Sequence, residues 1–301
     1  MHRQLRHFTL LLFALSSFDC SATVAEPITA DEQRNAAMRC KAILVDSLAA
    51  QGEWSSVHAA EYLIHLDEKL PVLAAFQPQA DCETPQYRIG VWRVLAQAEA
   101  KPDSRRLYVQ RIRDVLLDLA AEDRLHALES LAKLNAPIAS AAELRIVEQF
   151  ADSPEDPGRA FAIWRLVQKT STPKLVQSLL GELESSDQVR RLRAAFVLGQ
   201  GNELPQPIQA KLQSTLGKES RDSIVFPFLA IAAGDGHLVR LATAENLAHR
   251  ALALKELTRR GIESEIDFAS PPIDSAPLAY RQAAAFALLA KLRKSDVQQN
   301  P

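Results

Sequence analysis

The stretch Pro173–Gly201, PKLVQSLLGELESSDQVRRLRAAFVLGQG, holds two amphipathic runs joined by a short polar break. In Pro173–Ser185 the residues Leu175, Val176, Leu179, Leu180 and Leu183 fall at helical spacing. In Gln188–Gly199 the apolar set is Val189, Leu192, Ala195, Phe196 and Leu198, with Gly199 as a helix C-terminal residue. Ser185-Ser186-Asp187 supplies the turn and an N-cap for the second helix. A helix pair of this kind cannot bury its apolar stripes alone. It therefore needs neighbours of the same sort.

Those neighbours are present. The second-helix pattern recurs at Trp54–Leu66, Tyr87–Ala100, Asp123–Leu134, Gly158–Lys169, Arg221–Gly234, His249–Gly261 and Tyr280–Leu292. Equivalent inward positions are Ala60, Val91, Leu128, Ile163, Ala195, Phe228, Leu252 and Ala285. They recur about every 33 residues, with one short interval of 24 from Phe228 to Leu252. First helices fit between them at Asp31–Ala49, Arg105–Leu119, Ser140–Ala151, Pro173–Glu184, Pro205–Leu216 and His237–Glu245. Two stretches are irregular: a stub at Leu66–Phe76, broken by Pro71, and a proline-rich lead-in at Ile262–Ala279. In repeat arrays, such departures are where binding loops are found.

The motif P-x-L-V-x-x-L-x-x-L…D-x-V-R-R-x-R-A-A-x-x-L-G resembles a HEAT repeat of the short bacterial type, also found in phycocyanobilin lyases. The segments VHAAEYL and YRIGVWRV are similar to those of exported bacterial HEAT proteins. With no β-run and no linker in view, the expected fold is all-α. It is a single α-solenoid over residues 26–301, with about seven to eight HEAT-like helical pairs in a right-handed superhelix. Few aromatic residues and only 10 glycines fit close-packed helices better than a sheet-based enzyme.

The N-terminus reads as an export signal. His2, Arg3, Arg6 and His7 precede the apolar run Phe8–Leu15, and small residues follow, which places a signal peptide at residues 1–25. Ser17-Phe18-Asp19 before Cys20 is not a lipobox, so a lipid anchor is not expected. Later segments offer no stable membrane span. The expected location is periplasmic or secreted. A formal net charge of -2 gives no field for nucleic acid. The arginines at Arg105-Arg106 and Arg190-Arg191-x-Arg193 read as solvated helix faces.

Export leaves Cys40 and Cys82, which form a disulfide candidate in an oxidising compartment. The alternative is that Cys40 is a small core residue.

Polar side chains gather on one face in the first repeat, where His58, Glu61, Tyr62 and His65 follow helical spacing. His126 and Glu129 repeat the His-x-x-Glu spacing in the third. Imidazole and carboxylate at such spacing suit zinc or iron, and HEAT-repeat hydroxylases hold iron with adjacent His-Glu pairs. No adjacent His-Glu pair exists here. Trp92-Arg93 and Trp164-Arg165 occupy matching positions. They form either an exposed ridge for peptides or sugars, or core tryptophans with only the arginines exposed. The second is the expected arrangement. No nucleophile elbow or phosphate loop is present.

These features point to an exported, non-enzymatic scaffold with no cofactor, presenting a concave helical surface to a protein or extended polymer. The alternative is a metal-dependent or accessory enzyme using His58, Glu61 and His65.

Overall fold

The computed structural model describes residues 29–170, 172–201, 204–262 and 275–299. The expected export signal at 1–25 and most of the proline-rich lead-in fall outside the described residues. Those that are described form 15 α-helices and no strand. In chain order they are α1 (Ala30–Ser47), α2 (Trp54–His65), α3 (Lys69–Phe76), α4 (Tyr87–Ala98), α5 (Pro102–Leu117), α6 (Arg124–Lys133), α7 (Ala141–Asp152) and α8 (Arg159–Lys169). There follow α9 (Pro173–Glu182), α10 (Gln188–Leu198), α11 (Gln206–Leu216), α12 (Phe226–Ala233), α13 (Asp235–Leu241), α14 (Leu247–Arg260) and α15 (Leu278–Gln299).

Local chemistry explains many of these boundaries. Thr29 caps α1 in a reciprocal capping box with Glu32. Ser140 caps α7, Asp187 caps α10 through the Val189 amide, and Asn246 caps α14. Prolines lie in the first turn of α5, α9, α11 and α12, where the missing N–H has no helical partner to lose. The short interval between Phe228 and Leu252 has a direct cause. It spans α12 and α13, which have 8 and 7 residues.

Packing alternates between two layers. Helices α2, α4, α6, α8, α10, α12, α14 and α15 each pack on the next of that series. The remaining helices pack outside them: α1 on α2 and α15, α3 on α2 and α4, α5 on α4 and α6, α7 on α5 and α8, α9 on α8 and α10, α11 on α12, and α13 on α12 and α14. The inner positions read from the sequence carry the core. Ala60, Val91, Leu128, Ile163, Ala195 and Ala285 are buried, while Phe228 and Leu252 face a cavity on the inner side.

The series does not end in two free faces. α15 packs against both α1 and α2, bringing the last inner helix back to the first. Gln282 Nε2 donates to the Ser55 carbonyl at 3.1 Å, and Arg293 donates to the Leu66 carbonyl and to Glu68. Aromatic packing seals the same seam, with Tyr62 stacked on Phe286 at 4.7 Å between ring centroids. An open array leaves an apolar surface at each end that needs a polar cap. Here each end covers the other, and the inner helices close into a ring.

Buried ion pairs stitch neighbouring units together. Arg88 holds the buried Asp123 through Nε at 2.7 Å and Nη2 at 2.9 Å. Glu143, fully buried, receives Arg113 Nε at 2.9 Å and Arg165 Nη2 at 2.7 Å. Glu182 receives Arg159 and Arg190. Removing one partner from such a pair leaves an uncompensated buried charge, so these contacts fix register between repeats. The Arg190–Arg193 cluster is accordingly not a solvated face. Arg190 bridges Glu182 and Glu155, Arg191 donates to the Ser185 carbonyl, and Arg193 donates to the Pro157 carbonyl.

The cysteine expectation is corrected. Cys40 and Cys82 are both free thiols. Cys40 sits in the core of α1 at 3% exposure, the small-core-residue alternative, and burial pushes its thiol up to about 11.

Candidate functional site: a cavity inside the helix ring

A cavity of about 320 Å³ opens where the inner helices converge. Seven of them contribute to its wall: α2 with Glu61, Tyr62, Ile64 and His65, α4 with Gln97, and α6 with Lys133. α10 brings Phe196, α12 Phe228 and Ile231, α14 Leu252, Lys255, Glu256 and Arg259, and α15 Phe286. Small-molecule pockets span about 300–1,000 Å³, so this one suits a small guest. Its rings are mutually braced: Phe196 meets Phe228 edge-on at 6.2 Å, and His65 meets Phe286 edge-on at 5.2 Å.

Charges in the wall are mostly paired. Arg93, 2% exposed behind the cavity, donates from Nε to Glu61 Oε1 at 2.9 Å and from Nη1 to Ser130 Oγ at 2.9 Å. Burial by itself would raise the Glu61 pKa. Arg93, with help from His58, Lys133 and Lys255, overcomes this and holds the carboxyl well below the usual range. Lys133 Nζ lies 2.7 Å from Glu129 and over the Phe196 ring at 5.4 Å. Glu256 accepts from Arg259 at 2.6 Å and Arg260 at 2.7 Å. Burial pushes the Tyr62 phenol up, with the Glu61 charge adding to it.

Lys255 differs. Among the described residues its ammonium has no hydrogen bond and no ion pair. Burial lowers its pKa, Lys133 and Arg93 add to that, and the Glu61 and Glu256 charges oppose it without touching the ammonium.

Several residues singled out from the sequence are brought together here, and others are not. His58, Glu61, Arg93, His126 and Glu129 converge around Trp54, which stacks on His126 at 5.8 Å and lies under Arg93 at 5.9 Å. His58 Nδ1 stands 3.5 Å from Glu61 Oε2, too far for a good hydrogen bond. His65 turns instead to Phe286 and Arg259. No group of three His, Cys, Asp or Glu side chains able to hold a metal ion exists among the described residues.

The tryptophan–arginine pairs are corrected on one point: neither arginine is exposed. Arg93 and Arg165 are 2% and 1% exposed, because the first is drawn onto Glu61 of α2 and the second onto Glu143 of the adjoining helix α7. Trp92 is buried and donates to the Ala80 carbonyl at 2.7 Å, with Arg88 and Arg111 over its faces. Trp164 is part-buried, edge-on to Phe196 at 5.9 Å.

Sequence reading missed Lys255, Phe196 and Phe286 as site residues. A signal was available. Glu61, Phe196 and Phe286 each follow directly on an inward position (Ala60, Ala195, Ala285), and Lys255 lies one helical turn beyond Leu252.

No helix among the described residues is long and apolar enough to cross a membrane. Compared with known proteins, the chain matches no family model and no curated sequence at a significant level.

Proposed function

We propose that this is an exported, non-enzymatic binding protein built from HEAT-type helical pairs, seven with a closing helix, whose ligand sits inside the ring. The observation that carries this reading is the convergence of side chains from seven inner helices on one cavity of about 320 Å³. In an open array the same inner helices would offer a concave groove to a protein or polymer segment. With the ends packed together, those surfaces face a shared interior, and the guest must fit that interior. Aromatic and aliphatic walls with a few placed charges are the usual make-up of a small-molecule site. The metal-dependent alternative gains no support from His58, Glu61 and His65. Arg93 occupies Glu61, and His65 packs on Phe286.

The test is thermal melting of the chain lacking residues 1–25 against a panel of organic acids, alcohols, amines, sugars and short peptides. At least one class raises Tm by mass action on the folded state. Leu252→Trp, which puts an indole into the cavity, abolishes that shift while keeping the helical circular-dichroism signal. A panel without a shift, or a shift that survives Leu252→Trp, overturns the reading.

A further inference from the structure

We propose that the cavity takes an apolar carboxylate, its carboxyl group paired with Lys255 Nζ and its hydrocarbon body lying against Phe196, Phe228 and Phe286. This rests on the cavity being a ligand site, and adds the chemical class of the guest.

Unmatched charge singles out Lys255 in the cavity wall. Every other charged side chain in the wall has a partner of opposite sign: Glu61 has Arg93, Lys133 has Glu129, and Glu256 has Arg259. Lys255 alone has none among the described residues, although it is part-buried and flanked by apolar walls. A desolvated ammonium without a counter-charge is costly, and a carboxylate beside it recovers a charge-assisted hydrogen bond. The field around it favours the same sign of guest. Lys133, Arg93 and Lys255 all act on Glu61, but its carboxylate is engaged by Arg93 and the nearby Glu129 and Glu256 by Lys133 and Arg259, so no carboxylate in contact is left for Lys255. A cationic guest would meet Lys255 with no free carboxylate to receive it. A neutral guest would bury the ammonium further and leave it unpaired. Beyond the amine, the surface is aromatic, with Phe196 edge-on to Phe228 and Phe286 stacked on Tyr62. That surface accepts a ring or short alkyl chain rather than a sugar or a polyanion.

The probes are 4-phenylbutyrate, 4-phenylbutanol and 4-phenylbutylamine, which share a body and differ in charge. Calorimetric titration near pH 7 is expected to show the acid binding about tenfold tighter than the alcohol, with the amine weakest. Lys255→Met keeps the length of the side chain and removes its charge. It is expected to reduce the acid to the alcohol's affinity, leave the alcohol unchanged, and raise Tm of the unliganded protein. Equal binding of acid and alcohol to the wild type overturns the carboxylate assignment while leaving the cavity a ligand site. An acid preference that survives Lys255→Met also overturns it, since another cation then supplies the contact. If none of the three binds, this proposal fails. If the Tm panel is blank as well, the ligand site itself fails.

Discussion

Arg93 Nε donates to Glu61 Oε1 at 2.9 Å across 32 positions of sequence, and the same guanidinium reaches Ser130 on the far side. One buried side chain thus ties α2, α4 and α6 together beneath the cavity. Arg93→Met should cost about 3–5 kcal/mol, because it strands the Glu61 carboxylate in a desolvated site. Adding Glu61→Met should recover part of that loss, since the double variant leaves no lone charge. Urea unfolding of the four proteins in the cycle checks this. A single variant within about 1 kcal/mol of wild type would show that the pair does not hold the repeats in register.

Closure of the ring depends on apolar packing more than on the polar contacts that decorate it. Phe286, 2% exposed, stacks on Tyr62 across the seam. Phe286→Ala should destabilise by about 3–5 kcal/mol. Arg293 reaches Glu68 across the same seam, but its side chain is 45% exposed. Arg293→Ala should therefore cost under about 1 kcal/mol. Equal losses in chemical denaturation would contradict this ranking.

Acid sensitivity follows from the paired carboxylates. Glu61, Glu129, Glu256 and Asp123 are all held below their ordinary pKa values; burial opposes this in each case, and cationic partners outweigh it. For a group depressed in the folded state, stability is complete above the unfolded pKa and is lost as pH falls through the folded value. His65, His126, His237 and His249 are held below the ordinary imidazole value by burial. Stability should thus begin to fall below about pH 6.5 as the unfolded chain takes up those protons, and fall further below about pH 5 as the carboxylates titrate. Urea midpoints across a pH series measure it. A midpoint that rises on acidification would mean these carboxylates are not stabilised in the fold.

Thiol chemistry separates Cys40 from Cys82. Cys40 is buried with its pKa raised to about 11, whereas Cys82 is part-exposed. On the native chain lacking residues 1–25, a thiol reagent should label Cys82 and leave Cys40 untouched, since the thiolate is the reacting form. Denaturation without reductant should expose both. Failure to find two thiols after denaturation would restore the disulfide.

All eight inner helices and most outer ones were legible in the sequence, because amphipathic spacing is a local property. Leu175 to Leu183 must share a face whatever they pack against. Local caps such as Asp187 were legible for the same reason. Site residues were harder. His58, Glu61, His126 and Glu129 were readable as a face but not as neighbours of Trp54, since their grouping depends on how α2 and α6 pack. The burial of Arg93 and Arg165 ran against the ordinary habit of arginine. It follows from carboxylates 32 and 22 positions away, Glu61 and Glu143.

Although α5 begins at Pro102 rather than Arg105, α12 at Phe226 rather than Arg221, and Val189 faces outward, the sequence by itself determined that the described residues are all-helical and, within a few residues, where the helices lie. Those follow from periodicity, capping and proline placement, which act within a few residues. Only the tertiary structure decided that α15 meets α1 and α2, that Phe286 lies on Tyr62, and that Lys255 has no partner among the described residues beside Phe196 and Phe228. The physical reason is separation along the chain. The contacts that bring α15 onto α1 and α2 join residues far apart in sequence, such as Gln282 and Ser55 at 227 positions, and no local pattern carries them.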